Sequence, residues 1–246
     1  MSQLGLNASK HYLGQEGRFY FSKKFGSDME FGRIFQSLYF LPYCNDNLNL
    51  LDFGCADGTF LRHLPAHERI GVEANPVARS RCQEICKESM HQIELHESLE
   101  SIKSNRVDVA ISNHCIEHVL EPFNTMMNIL RVLKPNGLFV LIVPFDDYRS
   151  QKNKSWKAGD LDNHLYTWSP MNLGNLMSEV GFKVEQITLH TRAWSPKMFW
   201  LYRAFGEPVF RIFCHLLGTY KRHHEVFGIG VKPVSSNATE NSKEKS

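Results

Sequence analysis

Residues 50–61 decide the fold, and they read Leu50-Leu51-Asp52-Phe53-Gly54-Cys55-Ala56-Asp57-Gly58-Thr59-Phe60-Leu61. The apolar start predicts a buried strand, and the two glycines predict a turn that opens a helix. Glycine lets a backbone come close to a ligand, and the free N–H groups where a helix begins favour an anionic group such as a carboxylate. Taken alone, this pattern also suits a dinucleotide.

Two acidic residues sharpen the interpretation. Glu73 ends the next predicted strand, where an acid can accept both hydroxyls of a ribose. Asp52 stands at the end of the first strand, beside the turn, where it can hold a positively charged amino group directly or through water. A dinucleotide fingerprint has no need for an acid before its first glycine. If the ligand carries no phosphate, the turn also tolerates Ala56 in place of a middle glycine.

The order of elements predicts an α/β protein. Short apolar runs alternate with helical patterns, as in a mostly parallel sheet that is covered by helices. The seven predicted strands span residues 49–53, 69–73, 92–96, 107–112, 138–143, 182–190 and 225–231.

Proline and glycine mark the predicted helices between these strands. Asn75-Pro76 opens one that continues through Cys86, and Glu121-Pro122 opens another that ends near residues 134–137. Ser169-Pro170 opens a third, which Gly181 closes. A helix-like pattern over residues 29–41 belongs to an aromatic N-terminal cap, residues 12–43. That cap is predicted either to pack on the edge of the sheet or to gate the substrate.

On these motifs the chain resembles the class I S-adenosylmethionine-dependent methyltransferases, within the branch that acts on small molecules and on sugar or lipid precursors. The resemblance covers roughly residues 12–232. Its further motifs are Ser112-Asn113-His114-Cys115-Ile116-Glu117-His118-Val119, Glu121-Pro122, Leu130-Arg131-Val132-Leu133-Lys134-Pro135-Asn136-Gly137, and His164-Leu165-Tyr166-Thr167-Trp168 followed by Glu179-Val180-Gly181-Phe182.

The resemblance implies a Rossmann-like sheet of seven mostly parallel strands in the order 3-2-1-4-5-7-6, with the seventh strand antiparallel and helices on both faces. It also implies that S-adenosylmethionine is the cofactor. The residues expected to bind it are Asp52, Gly54, Cys55, Ala56, Gly58, Glu73, Ala74, Ser98, Leu99, Asn113 and His114.

Two positions depart from the family pattern. Family members often carry an aspartate where this chain has Ser98, so we expect the adenine contacts to come from Ser98 and from the backbone of Leu99. Asn136-Gly137 replaces a double glycine before the fifth strand and still permits a left-handed turn residue.

The candidate catalytic residues follow the fourth and fifth strands. A hydroxyl acceptor needs a group that takes its proton, usually His, Asp or Glu. In an open α/β sheet, such groups gather beyond the carboxyl ends of the strands. His164, in the long loop 144–167, is the leading candidate for an acceptor-site base, and a substrate hydrogen bond is its alternative role. For Glu117 and His118, a catalytic role and a purely structural one both stay open.

Composition excludes several classes of function. A formal charge of +2 over 246 residues argues against nucleic acid as a partner. The six cysteines form no Cys-x-x-Cys pair, and Cys82 with Cys86 is expected to pack in the core. We expect no metal, because Asp160 and Asp162 beside Glu117 are typical of a solvated face. No leader or membrane span is evident, so we expect a cytoplasmic protein of one domain, residues 1–234, followed by a disordered polar tail, 235–246.

A helical insertion is predicted at residues 192–224, between the sixth and seventh strands. Apolar residues recur with helical spacing on both sides of Gly206-Glu207-Pro208, which predicts a helical hairpin with a net charge of +5. The two apolar sets are Met198, Leu201, Tyr202 and Phe205, and Val209, Ile212, Phe213 and Leu216. A lid over the acceptor pocket, a face of a homodimer and a peripheral contact with an anionic membrane all stay open.

The leading functional prediction is therefore O-methylation of a sugar, a glycan precursor that can be lipid-linked, or another small metabolite. One alternative is an NAD(P)-dependent oxidoreductase, which the acid at position 52 and the lack of a Tyr-x-x-x-Lys pair disfavour. The other is a non-catalytic donor-binding protein of the same fold.

Overall fold

The computed structural model describes residues 7–88, 92–145, 155–156, 158–192 and 194–234. The polar tail predicted at residues 235–246 and part of the loop 144–167 lie outside the described residues. One sheet of seven strands organises the chain, in the order β3-β2-β1-β4-β5-β7-β6. The strands are β1 Asn49–Phe53, β2 Glu68–Val72, β3 Glu94–His96, β4 Val107–Asn113, β5 Leu133–Pro144, β6 Lys183–Thr191 and β7 His224–Val231.

The direction of the strands follows the prediction as well. The first five strands pair in parallel, whereas β7 runs antiparallel to both β5 and β6. Because β7 is reversed, its first residues lie beside the last residues of β5, with Glu225 opposite Pro144. The predicted order and the antiparallel seventh strand are therefore confirmed.

Seven α-helices accompany the sheet among the described residues. They are α1 Gly14–Lys24, α2 Ser27–Ser37, α3 Thr59–His63, α4 Pro76–Glu88, α5 Pro122–Val132, α6 Pro170–Val180 and α7 Phe199–Tyr220. The predicted ends of α6 are confirmed. The Ser169 side chain accepts from the backbone N–H of Asn172 at its start, and Gly181 ends the helix with a φ of +107°.

The main boundary differences are at α5 and β5. The helix ends at Val132, before the predicted residues 134–137, and β5 begins at Leu133 rather than at residue 138. Lys134 precedes Pro135, and a residue before proline is pushed out of the helical region. Leu133 then pairs with Val107, and the register shifts before Leu138 pairs with Val109.

Apolar side chains alternate between the two faces of the sheet. Leu51 and Leu141 pack in a cluster with α5 and α6, while Leu50 and Ile142 pack in a second cluster with Phe60 of α3. This alternation is what a sheet with both faces covered requires. It leaves the carboxyl ends of the parallel strands as the edge where a ligand can bind.

The insertion between β6 and β7 contains α7, which is broken at Gly206, with φ +79° and ψ −179°. The rings of Phe199 and Phe210 lie 5.7 Å apart, so the two halves fold back on each other, as the predicted hairpin requires. Phe210 and Cys214 face inward. The predicted apolar set of the second half, which includes Ile212, faces solvent instead.

Candidate active site

A tight turn joins β1 to α3 at the carboxyl edge of the sheet. Gly54, Ala56 and Gly58 all have positive φ values, of +84°, +48° and +74°. A Cβ placed on Gly54 would lie 2.7 Å from Cβ of Cys115 and would also collide with its sulfur. The backbone of this turn thus runs against the loop after β4, and only glycine fits at position 54.

Two buried carboxylates flank the turn. Glu73 follows β2, and its two oxygens accept from the backbone N–H groups of Ala56 at 3.0 Å and Asn75 at 2.8 Å. Burial raises the pKa of Glu73, and these hydrogen bonds oppose the rise. Burial, together with the nearby carboxylates of Glu73 and Asp57, raises the pKa of Asp52 to about 8. Among the described residues, Oδ1 of Asp52 has no hydrogen-bond partner, so this edge of the cavity is suited to a cation.

A cavity of about 450 Å³ lies along this edge of the sheet. It brings together ten of the eleven residues predicted to bind the cofactor: Asp52, Gly54, Cys55, Ala56, Glu73, Ala74, Ser98, Leu99, Asn113 and His114. Gly58 is not part of this lining. A Cβ there would lie 2.6 Å from the sulfur of Cys82, which is fully buried, so Gly58 serves the packing of the turn against α4.

The three predicted catalytic residues converge on the same cavity. Their ligating atoms, from Glu117, His118 and His164, all lie within 4.8 Å of one another, and the rings of His118 and His164 are 4.9 Å apart. The loop that carries His164 is tied down by the carbonyl of Glu117, which accepts from the backbone N–H of Leu165 at 2.9 Å. Residues 47 positions apart in sequence are thereby held together.

The pKa values of Glu117 and His118 in this group are shifted from their ordinary values. Burial would raise the pKa of Glu117, but the neighbouring histidines, His118 foremost, outweigh it, and the net pKa is lowered. Burial lowers the pKa of His118 to about 4, although Glu117 opposes the effect. At neutral pH His118 is therefore neutral, and the positive charge beside the ionised Glu117 belongs to His114, whose pKa is raised to about 9 and whose Nδ1 lies 3.4 Å from Oε1.

Sequence reasoning missed a second buried group of charges, built around Glu225. One of its oxygens accepts from Nε of Arg192 at 2.6 Å and lies 2.9 Å from Nε2 of His114. Burial alone would lower the pKa of His114, but Glu225 and Glu117 outweigh it and raise that pKa to about 9. Burial likewise opposes the ionisation of Glu225, yet Arg192 and His114 hold its pKa at about 2. Glu225 could have been found, since an acid that begins an antiparallel strand beside β5 must lie at the carboxyl edge.

The N-terminal cap also reaches the cavity, which its sequence left open. Tyr12, Tyr20, Phe21 and Gln36 line the cavity wall. Gln36 contacts the second charge group, because its Nε2 donates to Oε1 of Glu225 at 3.4 Å, while its amide oxygen accepts from Nδ2 of Asn113 at 3.2 Å. The cap also packs on the sheet, since Phe40 is buried in the cluster with Leu50 and Phe60. A role of the cap in gating the substrate stays a prediction.

Comparisons with known proteins agree with this geometry. Residues 30–187, more than half of the chain, match the family model of the methyltransferase domain. No curated protein matches the sequence significantly. The chain therefore belongs to the methyltransferase domain family. With its strand order, it is a class I, S-adenosylmethionine-dependent methyltransferase.

Solved structures share the fold at low sequence identity. A Haloferax volcanii protein solved with the methyltransferase activator Trm112 is 15% identical over 89% of this chain and 95% of its own, with a TM-score of 0.61. Phosphoethanolamine N-methyltransferase 2 of Haemonchus contortus, solved with S-adenosylmethionine, is 15% identical over 93% of this chain and 60% of its own, with a TM-score of 0.61. The [4+2]-cyclase SpnF is 18% identical over 83% of this chain and 81% of its own, with a TM-score of 0.58. A fold shared by a methyltransferase and a cyclase leaves the acceptor to be argued from the site itself.

Proposed function

We propose that the chain binds S-adenosylmethionine between the glycine turn and Glu73 and transfers its methyl group to a hydroxyl of a sugar, a glycan precursor or another small metabolite. One observation carries the proposal. Two buried carboxylates, Asp52 and Glu73, flank a left-handed turn and open onto the same cavity as the group Glu117, His118 and His164. Donor and acceptor groups thus share one enclosed space.

The donor side follows from the hydrogen-bonding capacity of the two acids. Each oxygen of Glu73 already accepts one backbone N–H, and a carboxylate oxygen can accept a second donor. Ribose hydroxyls can therefore bind there without breaking the bonds that hold the turn. The ammonium group of the methionine moiety would bind the unpaired oxygen of Asp52.

The acceptor side follows from the chemistry of methyl transfer. The hydroxyl oxygen attacks the methyl carbon in line, the carbon–sulfur bond breaks, and the sulfur keeps the electron pair. The hydroxyl proton must then go to a base. The low pKa of His118 makes it a weak base at neutral pH, so we assign proton removal to His164, with the carboxylate of Glu117 stabilising the positive charge.

Product formation tests the assignment. Purified protein would be incubated with S-adenosylmethionine and a panel of sugar, glycan and phenolic hydroxyl acceptors, and S-adenosylhomocysteine would be measured. We expect acceptor-dependent product, strongly reduced in His164→Ala. The matched control is His67→Ala, an exposed histidine before β2 at the opposite edge of the sheet. Product formation that does not depend on any hydroxyl acceptor, or an equal loss in both variants, would overturn this assignment.

A second observation bears on where the acceptor comes from. Large apolar side chains on α7 are each 48–61% exposed, namely Trp200, Phe205, Ile212, Phe213 and Leu216. Several large apolar side chains exposed on one helix are a feature of binding surfaces. Arg203 and Arg211 lie on the same helix, and Lys221 and Arg222 follow it. None of the helices that the structure describes combines the length and the apolar character needed to cross a membrane.

We propose that this face of α7 rests on an anionic membrane surface and that the acceptor is lipid-linked. Basic residues around exposed Trp and Phe side chains match the charge and polarity of such a surface. Flotation with vesicles of anionic phospholipid, beside vesicles of neutral phospholipid, tests it. We expect binding to anionic vesicles only, lost in an Ile212→Ser, Leu216→Ser double variant. Concentration-dependent dimers that the same variant abolishes, without vesicle binding, would instead make the face a homodimer interface.

A further inference from the structure

The group of Glu117, His118 and His164 has the composition of a metal site. Two imidazoles and one carboxylate present ligating atoms that all lie within 4.8 Å of one another. Atoms bound at about 2.1 Å to a tetrahedral ion lie about 3.4 Å apart. Oε1 of Glu117 and Nε2 of His118 lie 3.6 Å apart, so little movement would bring both onto one ion.

Hydrogen-bond directions show which nitrogen of His118 is available. The hydroxyl of Tyr12 contacts the carbonyl oxygen of Asp162, and since a carbonyl can only accept, the hydroxyl proton goes there. The hydroxyl oxygen also lies 2.8 Å from Nδ1 of His118, so it must accept the proton on Nδ1. In this tautomer Nε2 carries the lone pair, and it lies 3.6 Å from Oε1 of Glu117. Metal-bound histidines are held in this way, with the other ring nitrogen donating to an oxygen.

Glu117 supplies a second, independent observation. Its side chain is fully buried, and among the described residues neither carboxylate oxygen has a hydrogen-bond partner. Nδ1 of His114 lies 3.4 Å from Oε1, which is an ionic contact without the alignment of a hydrogen bond. His114 therefore supplies a positive charge to Glu117, but no hydrogen bond from the described residues satisfies either of its oxygens, and a buried carboxylate without hydrogen-bond partners is costly. An acceptor lone pair and an unsatisfied carboxylate therefore face each other across a space that opens on the cavity.

We propose that Glu117, His118 and His164 bind one divalent transition-metal ion, with its open coordination positions directed into the cavity. Two imidazoles with one carboxylate favour ions such as Zn²⁺, Fe²⁺ or Co²⁺ over Mg²⁺ and Ca²⁺, which prefer oxygen ligands alone. The sequence led us to expect no metal, because the candidate set considered there, Asp160 and Asp162 beside Glu117, is typical of a solvated face. His164 lies 46 positions from His118, and no local pattern links the two histidines.

A catalytic role for this ion depends on the proposed function, methyl transfer to a hydroxyl. Without the ion, His164 is the base assigned above. With the ion bound, His164 would be a ligand, the ion would lower the pKa of the acceptor hydroxyl bound to it, and the hydroxyl proton would leave to water in the cavity. Binding of the ion itself does not depend on methyl transfer. The two claims can therefore fail separately.

Metal titration of chelator-stripped protein tests the proposal. Co²⁺ would be followed by its visible absorption and Zn²⁺ by calorimetry, with Mg²⁺ as the comparison ion. We expect one Co²⁺ or Zn²⁺ per chain and no comparable binding of Mg²⁺. Glu117→Gln and His164→Ala should each weaken binding at least tenfold. Tyr12→Phe, which keeps all three ligands, should weaken it by about 10–100-fold.

The matched control is the pair His96 and Glu94, whose Nε2 and Oε1 atoms lie 2.7 Å apart outside this group. His96→Ala should leave the stoichiometry at one. Circular dichroism checks that each variant folds. If Glu117→Gln does not fold, His164→Ala tests the loss of a ligand in its place. Absence of Co²⁺ and Zn²⁺ binding in the parent protein, or equal weakening by His96→Ala, would overturn the proposal. Binding of S-adenosylhomocysteine to the stripped protein would, in that case, leave the proposed function standing.

Discussion

Replacing Glu225 by glutamine removes the negative charge at the centre of the buried group that includes Arg192 and His114. The substitution keeps the size and shape of the side chain. It leaves Arg192 and His114 facing each other without the anion, and their closest nitrogens are 3.1 Å apart. We expect the free energy of unfolding to fall by about 3–5 kcal/mol at neutral pH, the usual cost of removing one partner from a buried ion pair.

The pKa of His114 gives an independent magnitude. It rises from an ordinary value of about 6.5 to about 9 in the folded protein, and at about 1.4 kcal/mol for each tenfold change this is worth roughly 3 kcal/mol. Below about pH 6.5, the folded and unfolded chains both hold the proton and the contribution is complete. Between about pH 6.5 and 9, only the folded chain keeps it, so the contribution declines and is lost above that range.

Urea unfolding at pH 6.5 and at pH 9.5 measures the effect. The difference between the parent protein and Glu225→Gln should be larger at pH 6.5 than at pH 9.5, by about 3 kcal/mol. Glu94→Gln is the matched control, since Glu94 pairs with Arg106 at the surface and is 46% exposed; it should cost less than about 1 kcal/mol. A difference that is the same at both pH values would refute the assignment of a charged His114 to this group.

Three further substitutions address the site. Gly54→Val should weaken S-adenosylhomocysteine binding at least tenfold in a thermal-shift titration, because it forces a side chain against Cys115 at a φ of +84°; unchanged affinity would show that the turn does not approach the donor. His164→Ala should lower turnover by about 10² or more while donor affinity by calorimetry stays within about twofold, and equal losses in both would make His164 structural. Donor affinity of the parent protein should increase from pH 6.5 to about 8, because Asp52, with a pKa of about 8, must release its proton to hold an ammonium group. Asp52→Asn should bind more weakly and with a flatter pH profile, and an unaltered profile would exclude Asp52 as the ammonium site.

The sequence predicted most of the fold because apolar runs, proline and glycine act on the chain segment in which they occur. Apolar runs placed the seven strands, and proline and glycine placed the helix ends at Pro122, Pro170 and Gly181. The early start of β5 depends instead on Leu133 pairing with Val107, 26 positions away. Helical periodicity predicted the hairpin of α7 but chose the wrong inward face for its second half, where Ile212 and Leu216 face solvent. It could not show that Phe210 would face inward, since that choice is made by ring contacts with Phe35 and Phe199.

The residues of the site also fall into those that local sequence predicted and those that depend on distant contacts. Asp52, Gly54 and Glu73 belong to one continuous motif, so their placement around the turn was predictable from spacing. Tyr12 was not, because its partner His118 lies 106 positions later and no periodic pattern links the two. Glu225 required the direction of β7 before its carboxylate could be placed at the cavity.

Titration calorimetry of the parent protein with S-adenosylhomocysteine, run beside NAD and Glu73→Ala, tests the central claim most directly. Two hydrogen bonds from ribose to a charged acceptor are worth roughly 1.5–3 kcal/mol each, so Glu73→Ala should weaken binding by about a hundredfold or more. The account predicts one S-adenosylhomocysteine bound per chain and no detectable binding of NAD. It also predicts the hundredfold weaker binding of S-adenosylhomocysteine by Glu73→Ala, with the circular dichroism of that variant unchanged. Binding of NAD in place of S-adenosylhomocysteine, or full affinity in Glu73→Ala, would contradict it.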